Sequence, residues 1–287
     1  DEVVRWLKES ADPAKPFFVF LSFHEPHEPV ASPVELVDSY RDSARTMDEA
    51  QYFANVTNVD AAVGRFVTSL DEMERRDNTL IVFTSDNGPE TLNRYRNANR
   101  SYGRPGPLRG MKLHTHEAGF RVAGIINWQG SLQAREAVSV PVSSLDFLPT
   151  FCRLAKTEPP SNVEFDGANF LPALTGNDID RQQPLVWAYY NGLNEARVAM
   201  RDGRWKVLAK LDGGKVPRMS NVTTNTAPMV RGAKLTDLEV YDVQTDIHEQ
   251  TNLAMSRVEL AQRLASKLDQ QYRELVDSSH IWKSKEH

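Results

Sequence analysis

The sequence predicts an α/β fold, in which helices flank a mixed, mostly parallel sheet and a smaller antiparallel sheet with a helix follows toward the carboxyl end. Pro16–Phe23 and Thr79–Ser85 are short, almost continuous apolar runs, as in strands that are buried on both faces of a parallel sheet. Between them, apolar residues recur every three or four positions from Thr46 to Met73, which is the pattern of an amphipathic helix. The order strand, helix, strand predicts a βαβ unit with a right-handed crossover.

The remaining elements follow from the same patterns along the chain. Glu2–Glu9 has an amphipathic helical pattern, Val122–Trp128 has the composition of a third strand, and Ser143–Leu154 begins with a serine cap and continues as a helix. Turn residues separate three short runs that predict antiparallel strands, Leu185–Tyr190, Ala196–Arg201 and Trp205–Leu211. A terminal amphipathic helix over residues 258–275 follows, and we predict two domains, residues 1–180 and residues 181–287.

Composition and charge exclude several functional classes. The chain has 287 residues, of which 40% are hydrophobic and 25% are charged, values typical of a folded globular protein. Its net charge of −5 leaves no basic surplus, so we expect no nucleic-acid partner. No apolar run approaches the roughly 20 residues that span a bilayer, so we expect no membrane span. The single cysteine, Cys152, excludes an internal disulfide framework and a cysteine-rich zinc site.

Polar clusters follow both buried-type strands, at the sheet edge where open α/β sheets bind their ligands. Asp86 and Asn87 offer one anionic and one neutral oxygen ligand, a pairing that suits Ca²⁺ or Mg²⁺ better than zinc. Asp-Asn-Gly is also good turn chemistry, so a plain turn stays open as the alternative. The other cluster contains His24 and His27, whose spacing differs from that of zinc proteases. Either histidine could simply hydrogen-bond its own loop, which we favour for His24, or serve as an acid near a leaving group.

A long polar loop rich in glycine and proline runs from Gly88 to Gly119, and loops of this length in compact domains are usually functional. Its charged patch, Arg109 to Lys112 followed by His114 and His116, is what a site for an anionic group requires. A solvated surface loop is the alternative. The order of the three elements favours a site, because a histidine at one strand end and an Asp-Asn pair at the next are followed by a lysine after a long glycine-rich loop.

This arrangement resembles the sulfatase family, the arylsulfatase-like branch of the alkaline phosphatase superfamily. The resemblance runs over nearly the whole chain in the family's order, and the combination of Thr-Ser-Asp-Asn-Gly with the lysine-bearing loop is its most specific part. The matching segments are Pro16–Pro29, Tyr52–Gly88, Leu108–Val122, Val142–Thr150, Asp166–Gly176, Arg201–Val207 and Glu239–Leu253.

The resemblance implies an alkaline-phosphatase-like fold and the hydrolysis of a sulfate monoester, on a sulfated small molecule or glycan. It implies that Asp86 and Asn87 are Ca²⁺ ligands, with Mg²⁺ the less expected ion. Lys112 would bind the sulfate oxygens and act in catalysis, and His27 would contact sulfate and protonate the leaving alcohol. Neutralised sulfate oxygens and a protonated leaving oxygen are what such a reaction needs. His114 is a candidate substrate contact.

One family feature has no match in this sequence. The family's nucleophile is a formylglycine made from Cys or Ser in a Cys/Ser-x-Pro-x-Arg motif, whereas Cys152 is followed by Arg-Leu-Ala-Lys. The family places this motif, and two further calcium-binding aspartates, before the segment that matches Pro16–Pro29. Since Asp1 is also not a start methionine, we expect the carboxyl-terminal part of a sulfatase, with the formylglycine upstream. The isolated 287-residue chain is therefore predicted to hydrolyse no sulfate ester.

Two alternatives remain at this point. The first is a phosphodiesterase or phosphomutase of the same superfamily, where two metals are usual and the second strand-end motif tends to be Asp-His-Gly; Asn87 favours one metal instead. The second is a non-catalytic, sulfatase-like glycan-binding protein. The family resemblance implies export, to the periplasm, the exterior or a lysosome-like compartment. We expect residues 93–106 to shape the leaving-group pocket, where Tyr95 and Tyr102 could stack on sugar rings or simply pack.

Overall fold

The computed structural model describes residues 1–92, 98–134, 137–212, 219 and 221–284. The chain forms two compact units that interleave along the sequence. The first unit comprises Asp1–Thr84, Glu90–Arg104 and Ala123–Gln133, and the second comprises Ser85–Pro89, Pro105–Val122 and Ala134–His287. Because each unit is made of several separate segments, the structure does not divide the chain at one position, and the domain boundary at residue 180 stays a prediction.

The first unit is built from three helices and a pair of strands. Its elements are α1 (Glu2–Glu9), α2 (Val34–Asp38), α3 (Met47–Glu72), β1 (Ile81–Phe83) and β2 (Ile125–Asn127). Helix α3 begins after Thr46, whose hydroxyl accepts a hydrogen bond from the Glu49 N–H at 3.1 Å, and this cap explains why the helix starts there. Val37 of α2 packs against Ala50 and Ala54 of α3, and all three side chains are buried. The amphipathic helix predicted over residues 46–73 is thus confirmed.

The strands of the first unit differ from the predicted parallel pairing. β1 pairs with β2 in antiparallel register, with Val82 opposite Ile126. Residues 16–23, predicted as a strand buried on both faces, carry no assigned strand, and Phe18 and Phe20 are 71% and 83% exposed. The reason is physical: an apolar run indicates a tendency toward burial but does not specify which strand will pair with it.

The second unit contains the antiparallel sheet that the sequence predicts, preceded by two helices. Its strands lie in the order β3-β4-β5-β6, each antiparallel to its neighbour. Gly203, with φ of 58°, occupies the tight turn between β4 and β5, where the left-handed region favours glycine. The elements are α4 (Glu117–Phe120), α5 (Phe147–Leu154), β3 (Leu185–Ala188), β4 (Val198–Asp202), β5 (Trp205–Leu211), α6 (Ala227–Gly232), β6 (Leu235–Asp242) and α7 (Val258–Ser278).

The core of the second unit lies between helix α7 and this sheet. Leu264, Leu268 and Tyr272 recur every fourth residue, so they share one face of α7, and each is at most 2% exposed. They cluster with strand residues such as Val207 of β5. Burial of each such leucine is worth about 1.5–3 kcal/mol, so this helix anchors the sheet that supports the site described below. Among the described residues, no helix is both long and apolar enough to cross a membrane.

Candidate functional site

Four residues singled out by the sequence lie in the second unit, and one lies in the first. Asp86 and Asn87 belong to the segment Ser85–Pro89, and Lys112 and His114 belong to the segment Pro105–Val122, both in the second unit. His27 belongs to the first unit.

The Asp-Asn-Gly segment and the lysine-bearing loop are hydrogen-bonded to each other. The Lys112 backbone N–H donates to the Pro89 carbonyl at 2.9 Å, and the Gly88 N–H donates to the Gly119 carbonyl at 3.0 Å. The structure thus brings together the residues expected to bind a metal ion and the lysine expected to bind sulfate. Sequence alone gave only their order along the chain.

Two glycines make this close approach possible. A Cβ atom on Gly88 would lie 1.6 Å from the Ala118 carbonyl oxygen, and one on Gly119 would lie 1.9 Å from the His114 carbonyl oxygen. Both obstacles are backbone atoms of residues whose N–H groups are hydrogen-bonded, Ala118 to the Arg109 carbonyl and His114 to the Met111 carbonyl. The glycine of Asp-Asn-Gly is therefore required for packing between the two loops, in addition to any turn that it makes.

Asp86 and Asn87 present oxygen atoms of the kind that a hard cation prefers. Asp86 is exposed, and the Asn87 Nδ2 donates to the Gly88 carbonyl at 3.0 Å, which leaves the amide Oδ1 to face a ligand. Ca²⁺ takes about 6–8 oxygen ligands, and these two side chains supply only part of that set. The described residues contain no cluster of three or more His, Cys, Asp or Glu suited to a metal ion. The donors fit Ca²⁺ in kind, and the calcium assignment stays a prediction.

The histidines beside Lys112 are neutral at physiological pH. Burial, with the nearby Arg109 guanidinium, lowers the pKa of His114, which is half-buried. The same two causes, burial first, lower the pKa of His116 to about 3. His116 is 6% exposed, and neither of its ring nitrogens has a hydrogen-bond partner among the described residues. Lys112 is half-buried, and the neutral histidine rings that follow it in the sequence add no positive charge to its own.

The lysine-bearing loop is anchored to the antiparallel sheet and its connections. The Arg109 Nη1 donates to the Tyr241 hydroxyl at 2.8 Å and contacts Glu239 Oε2 at 3.1 Å. Farther along, the Thr115 hydroxyl donates to the Ala196 carbonyl at 3.1 Å. The smaller sheet, together with the connection that leads into β4, therefore holds both ends of the segment that carries Lys112 and His114.

A buried ionic cluster completes the anchor at helix α4. The Lys206 ammonium lies 3.1 Å from Glu117 Oε1 and 2.9 Å from Glu249 Oε1, and all three side chains are at most 1% exposed. Glu249 Oε2 also accepts the Glu117 N–H at 2.8 Å. The Lys206 ammonium further lies 4.3 Å from the centre of the Phe120 ring, a cation–π contact.

The charges of this cluster oppose the cost of burial. Burial alone raises the pKa of Glu117, but Lys206 and Arg201 outweigh it and hold that pKa below its ordinary value. Burial lowers the pKa of Lys206 and raises the pKa of Glu249, since a charge is costly to bury without its partners. Sequence analysis did not single out Lys206 or Glu249. The available signal was a lysine in a predicted strand, residues 205–211, whose other residues apart from Lys210 are all apolar.

His27 is exposed in the first unit, and its ring is oriented by its own loop. Its Nδ1 lies 2.7 Å from the Glu28 carbonyl oxygen, which can only accept, so Nδ1 carries the hydrogen. The Nε2 atom is then the nitrogen left to face a ligand. Glu28 is itself buried, and its Oε1 accepts the Arg100 N–H at 2.7 Å and the Ser101 hydroxyl at 3.2 Å.

The fold, with its glycine-tight contact between an Asp-Asn-Gly turn and a lysine-bearing loop, is of the alkaline-phosphatase-like α/β class. The chain belongs to the sulfatase family: the model of that family, described as Sulfatase, matches residues 1–157. The predicted family and fold class are thereby confirmed. The roles of the individual site residues stay predictions.

Individual relatives agree with this assignment. Steryl-sulfatase of Rattus norvegicus is 32% identical over 181 residues, which cover 61% of this chain and 29% of that protein. The uncharacterized sulfatase YdeN of Escherichia coli (strain K12) is 26% identical, covering 97% of this chain and 50% of that protein. The crystal structure of Ps i-CgsB in complex with k-i-k-neocarrahexaose is similar with a TM-score of 0.78 and 25% identity, over 99% of this chain and 55% of that one. The chain thus spans half or less of the length of these two curated relatives.

Proposed function

We propose that this chain binds a sulfated carbohydrate and contributes the sulfate-binding lysine and the leaving-group acid to hydrolysis of its sulfate ester. The observation that carries the proposal is the pinning of the Lys112 loop to the Asp86–Gly88 turn by two backbone hydrogen bonds, of 2.9 and 3.0 Å. A carbohydrate substrate is supported by the similar solved structure that holds an oligosaccharide.

Lys112 is assigned to the non-bridging oxygens of the sulfate group. A sulfate ester repels an incoming nucleophile with its negative charge, and a fixed ammonium reduces that repulsion as charge shifts onto the leaving oxygen. The neighbouring His114 is neutral, because burial lowers its pKa, so it contacts the substrate as a neutral hydrogen-bonding group. Ca²⁺, when bound by Asp86 and Asn87, would supply further neutralisation of the sulfate oxygens.

His27 is assigned as the acid that protonates the leaving alcohol. With Nδ1 donating to the Glu28 carbonyl, a protonated ring presents its second N–H from Nε2. As an incoming oxygen nucleophile bonds to sulfur and the ester S–O bond breaks, the electron pair of the broken bond stays on the leaving oxygen and the Nε2 proton moves to it. The alcohol leaves neutral, and His27 is left as the neutral Nδ1–H form.

The nucleophile is assigned by family resemblance to a formylglycine, and these residues contain no Cys/Ser-x-Pro-x-Arg motif. A polypeptide made only of these residues therefore binds sulfate esters without turning them over. The second candidate function is a sulfatase-like glycan-binding protein that does not hydrolyse its ligand, and absence of the motif from the whole encoded protein would favour it. The proposal includes export from the cytoplasm, which is supported by family membership alone.

Calorimetric titration of the chain with glucosamine 6-sulfate, and with glucosamine as the unsulfated partner, tests the binding proposal. We expect the sulfated sugar to bind at least about tenfold more tightly, because a charge-assisted hydrogen bond is worth about 1.5–3 kcal/mol. Lys112→Met should remove this preference. Lys267→Met is the matched control, because Lys267 is paired with Asp202 on the surface of the second unit. Equal affinity for the two sugars contradicts the proposal.

A separate assay distinguishes the two candidate functions. Release of inorganic sulfate from glucosamine 6-sulfate is measured by ion chromatography, with the protein as its gene encodes it and with Ca²⁺ present. Sulfate release that His27→Ala and Lys112→Met both abolish supports the hydrolase. Binding without any release supports the glycan-binding protein.

A further inference from the structure

Positive charge is concentrated in one short stretch of an otherwise acidic chain. Residues 93–104 contain four arginines, two tyrosines and no acidic residue, whereas the net charge of the whole chain is −5. The four arginines are Arg94, Arg96, Arg100 and Arg104, and the first two, with Tyr95, lie outside the described residues. Clustered arginines beside aromatic rings are the composition of a surface that binds anionic sugars or phosphates.

The described part of this stretch forms the wall of a cavity in the first unit. The cavity has a volume of about 240 Å³. Pockets for drug-sized ligands begin at roughly 300 Å³. A single sugar residue is smaller than such a ligand, so a cavity of this size suits one sugar residue. Its lining contains two arginines and no acidic residue: Arg45, Thr91, Ser101, Tyr102, Gly103 and Arg104.

Both arginines are held by one buried carboxylate. Glu49 is 1% exposed, and its Oε1 accepts from the Arg45 Nη2 at 2.8 Å and from the Arg104 Nη2 at 2.7 Å. The side chains of Arg45 and Arg104 are nevertheless 73% and 65% exposed, so two positive charges face the cavity over one negative charge behind them. Such a fork of donors, positioned in advance, matches sulfate and carboxylate oxygens.

Neighbouring carboxylates are engaged elsewhere. Asp48 accepts from the Arg100 Nε and from the Asn99 Nδ2, both at 2.9 Å. Glu90, next to the lining residue Thr91, accepts the N–H groups of Thr91 and Leu92. Neither carboxylate lines the cavity, so the guanidinium groups of Arg45 and Arg104 are the charged groups in its wall.

The cavity also has a fixed aromatic wall. The Tyr102 hydroxyl is 3.0 Å from the Thr46 hydroxyl, and its ring centre is 6.5 Å from that of Tyr52. Arg104 is held from a second side, 5.5 Å from the centre of the Phe53 ring. A flat ring of this kind stacks on the apolar face of a sugar, and a ring and guanidinium that are already fixed lose little entropy on binding.

Within the first unit, the cavity is connected to His27. Ser101 lines the cavity, and its hydroxyl donates to Glu28 Oε1 at 3.2 Å. Glu28 directly follows His27, whose ring binds the Glu28 carbonyl oxygen at 2.7 Å. One residue of the cavity wall is therefore hydrogen-bonded to the same short segment that orients the proposed acid.

We propose that this cavity is a subsite for a second anionic group of the substrate, a sulfate or a carboxylate on a sugar ring. The substrate is then a polyanionic saccharide, which carries at least one acidic group besides the sulfate that is removed. This deepens the proposed function and rests on it for the carbohydrate nature of the ligand. The anion-binding chemistry itself rests on Arg45, Arg104 and Tyr102 alone.

Two pairs of probes test the subsite by calorimetric titration of the chain. Glucosamine 2-N,6-O-disulfate against N-acetylglucosamine 6-sulfate measures the effect of a second sulfate, since neither probe carries a free ammonium group. The unsulfated disaccharide of glucuronic acid and N-acetylgalactosamine, against the same disaccharide with glucose in place of glucuronic acid, measures the effect of a carboxylate. We expect at least one dianionic or uronate-bearing probe to bind about tenfold more tightly than its partner, and the pair that shows the difference identifies the anion.

Arg45→Gln and Arg104→Gln should each abolish this preference and leave the affinity for glucosamine 6-sulfate within about twofold. Arg41→Gln is the matched control, since Arg41 is an exposed arginine of the same unit that pairs with Asp38. If the arginine variants unfold, Tyr102→Leu, which keeps both charges and removes the wall, should still weaken the preferred probe about fivefold.

Unchanged preference in all three cavity variants, or equal affinities within both probe pairs, overturns the subsite and shows that the arginines only close a structural ion pair. Failure of the proposed function has a different signature. That failure gives equal affinities for glucosamine 6-sulfate and glucosamine, or a difference between the two affinities that Lys112→Met does not reduce.

Discussion

The Lys206 ammonium lies 3.1 Å from Glu117 Oε1, with both side chains at most 1% exposed. Lys206 is on strand β5 of the antiparallel sheet, and Glu117 begins helix α4 directly after the loop that carries Lys112 and His114. The small sheet is therefore part of the support of the proposed sulfate-binding loop. A lysine and a glutamate buried together fix that loop more firmly than a surface contact would, because neither can leave its partner without facing an apolar interior.

Removal of the Lys206 charge is the most direct test of this support. Lys206→Met should lower the free energy of unfolding by about 3–5 kcal/mol, because it leaves Glu249 without its buried cation and leaves Glu117 with Arg121 and Arg201 as its remaining counter-charges. Urea denaturation of the chain measures the change. Lys267→Met, which breaks a pair with Asp202 that is 42% and 36% exposed, should cost less than about 1 kcal/mol. Equal effects in the two variants would show that the buried cluster contributes no more than a surface pair.

The glycines between the two site loops give a second prediction. Gly88→Ala and Gly119→Ala would place a Cβ 1.6 and 1.9 Å from backbone carbonyl oxygens, so the loops must separate. We expect each variant to lose about 1–3 kcal/mol of stability and to bind glucosamine 6-sulfate at least about tenfold more weakly.

Gly64→Ala is the matched control for these glycines. Gly64 lies inside helix α3, and an added Cβ there meets nothing within 4 Å. Alanine is a better helix former than glycine, so this variant should gain about 0.5–1 kcal/mol in urea denaturation. A stable Gly88→Ala variant that binds the sulfated sugar normally would mean that the contact between the loops is dispensable.

The features that sequence could predict are local ones. Helix α3, helix α7 and strands β3 to β5 follow from the spacing of apolar residues and from turn residues such as Gly203, all of which act within a few positions. The hydrogen bond from Lys112 to Pro89 and the cluster of Lys206 with Glu249 join distant parts of the chain, and no local pattern encodes such pairings. The sequence pattern also predicted that Phe18 and Phe20 are buried, whereas both are exposed. Hydrophobicity predicts that a side chain tends to be covered but does not identify the element that covers it.

His116 should make the stability of the chain depend on pH. In the folded chain its pKa is lowered to about 3 from the ordinary 6.5, chiefly by burial. Between these two values the unfolded chain binds more protons, so stability is complete above about pH 6.5 and is lost as the pH falls toward 3. We expect His116 to account for a loss of about 1–2 kcal/mol between pH 7 and pH 5, measured by urea denaturation.

Two variants isolate this contribution. His116→Phe should flatten the stability curve between pH 7 and pH 5, because the group that takes up the proton on unfolding is gone. His280→Phe removes an exposed histidine and should leave the curve as it is. If His116→Phe and the original chain lose stability in parallel as the pH falls, His116 is not the titrating group.

The last prediction concerns turnover by a polypeptide of these 287 residues. It contains Lys112 and His27 but no Cys/Ser-x-Pro-x-Arg motif, and Cys152 lies within helix α5. Without a covalent nucleophile, binding and protonation alone leave most of the barrier in place. We expect no release of p-nitrophenol from p-nitrophenyl sulfate above the rate of the Lys112→Met variant, with or without Ca²⁺. Calcium-dependent release that Lys112→Met abolishes would show that these residues hold a nucleophile of their own, and the assignment of that role to a formylglycine would have to be withdrawn.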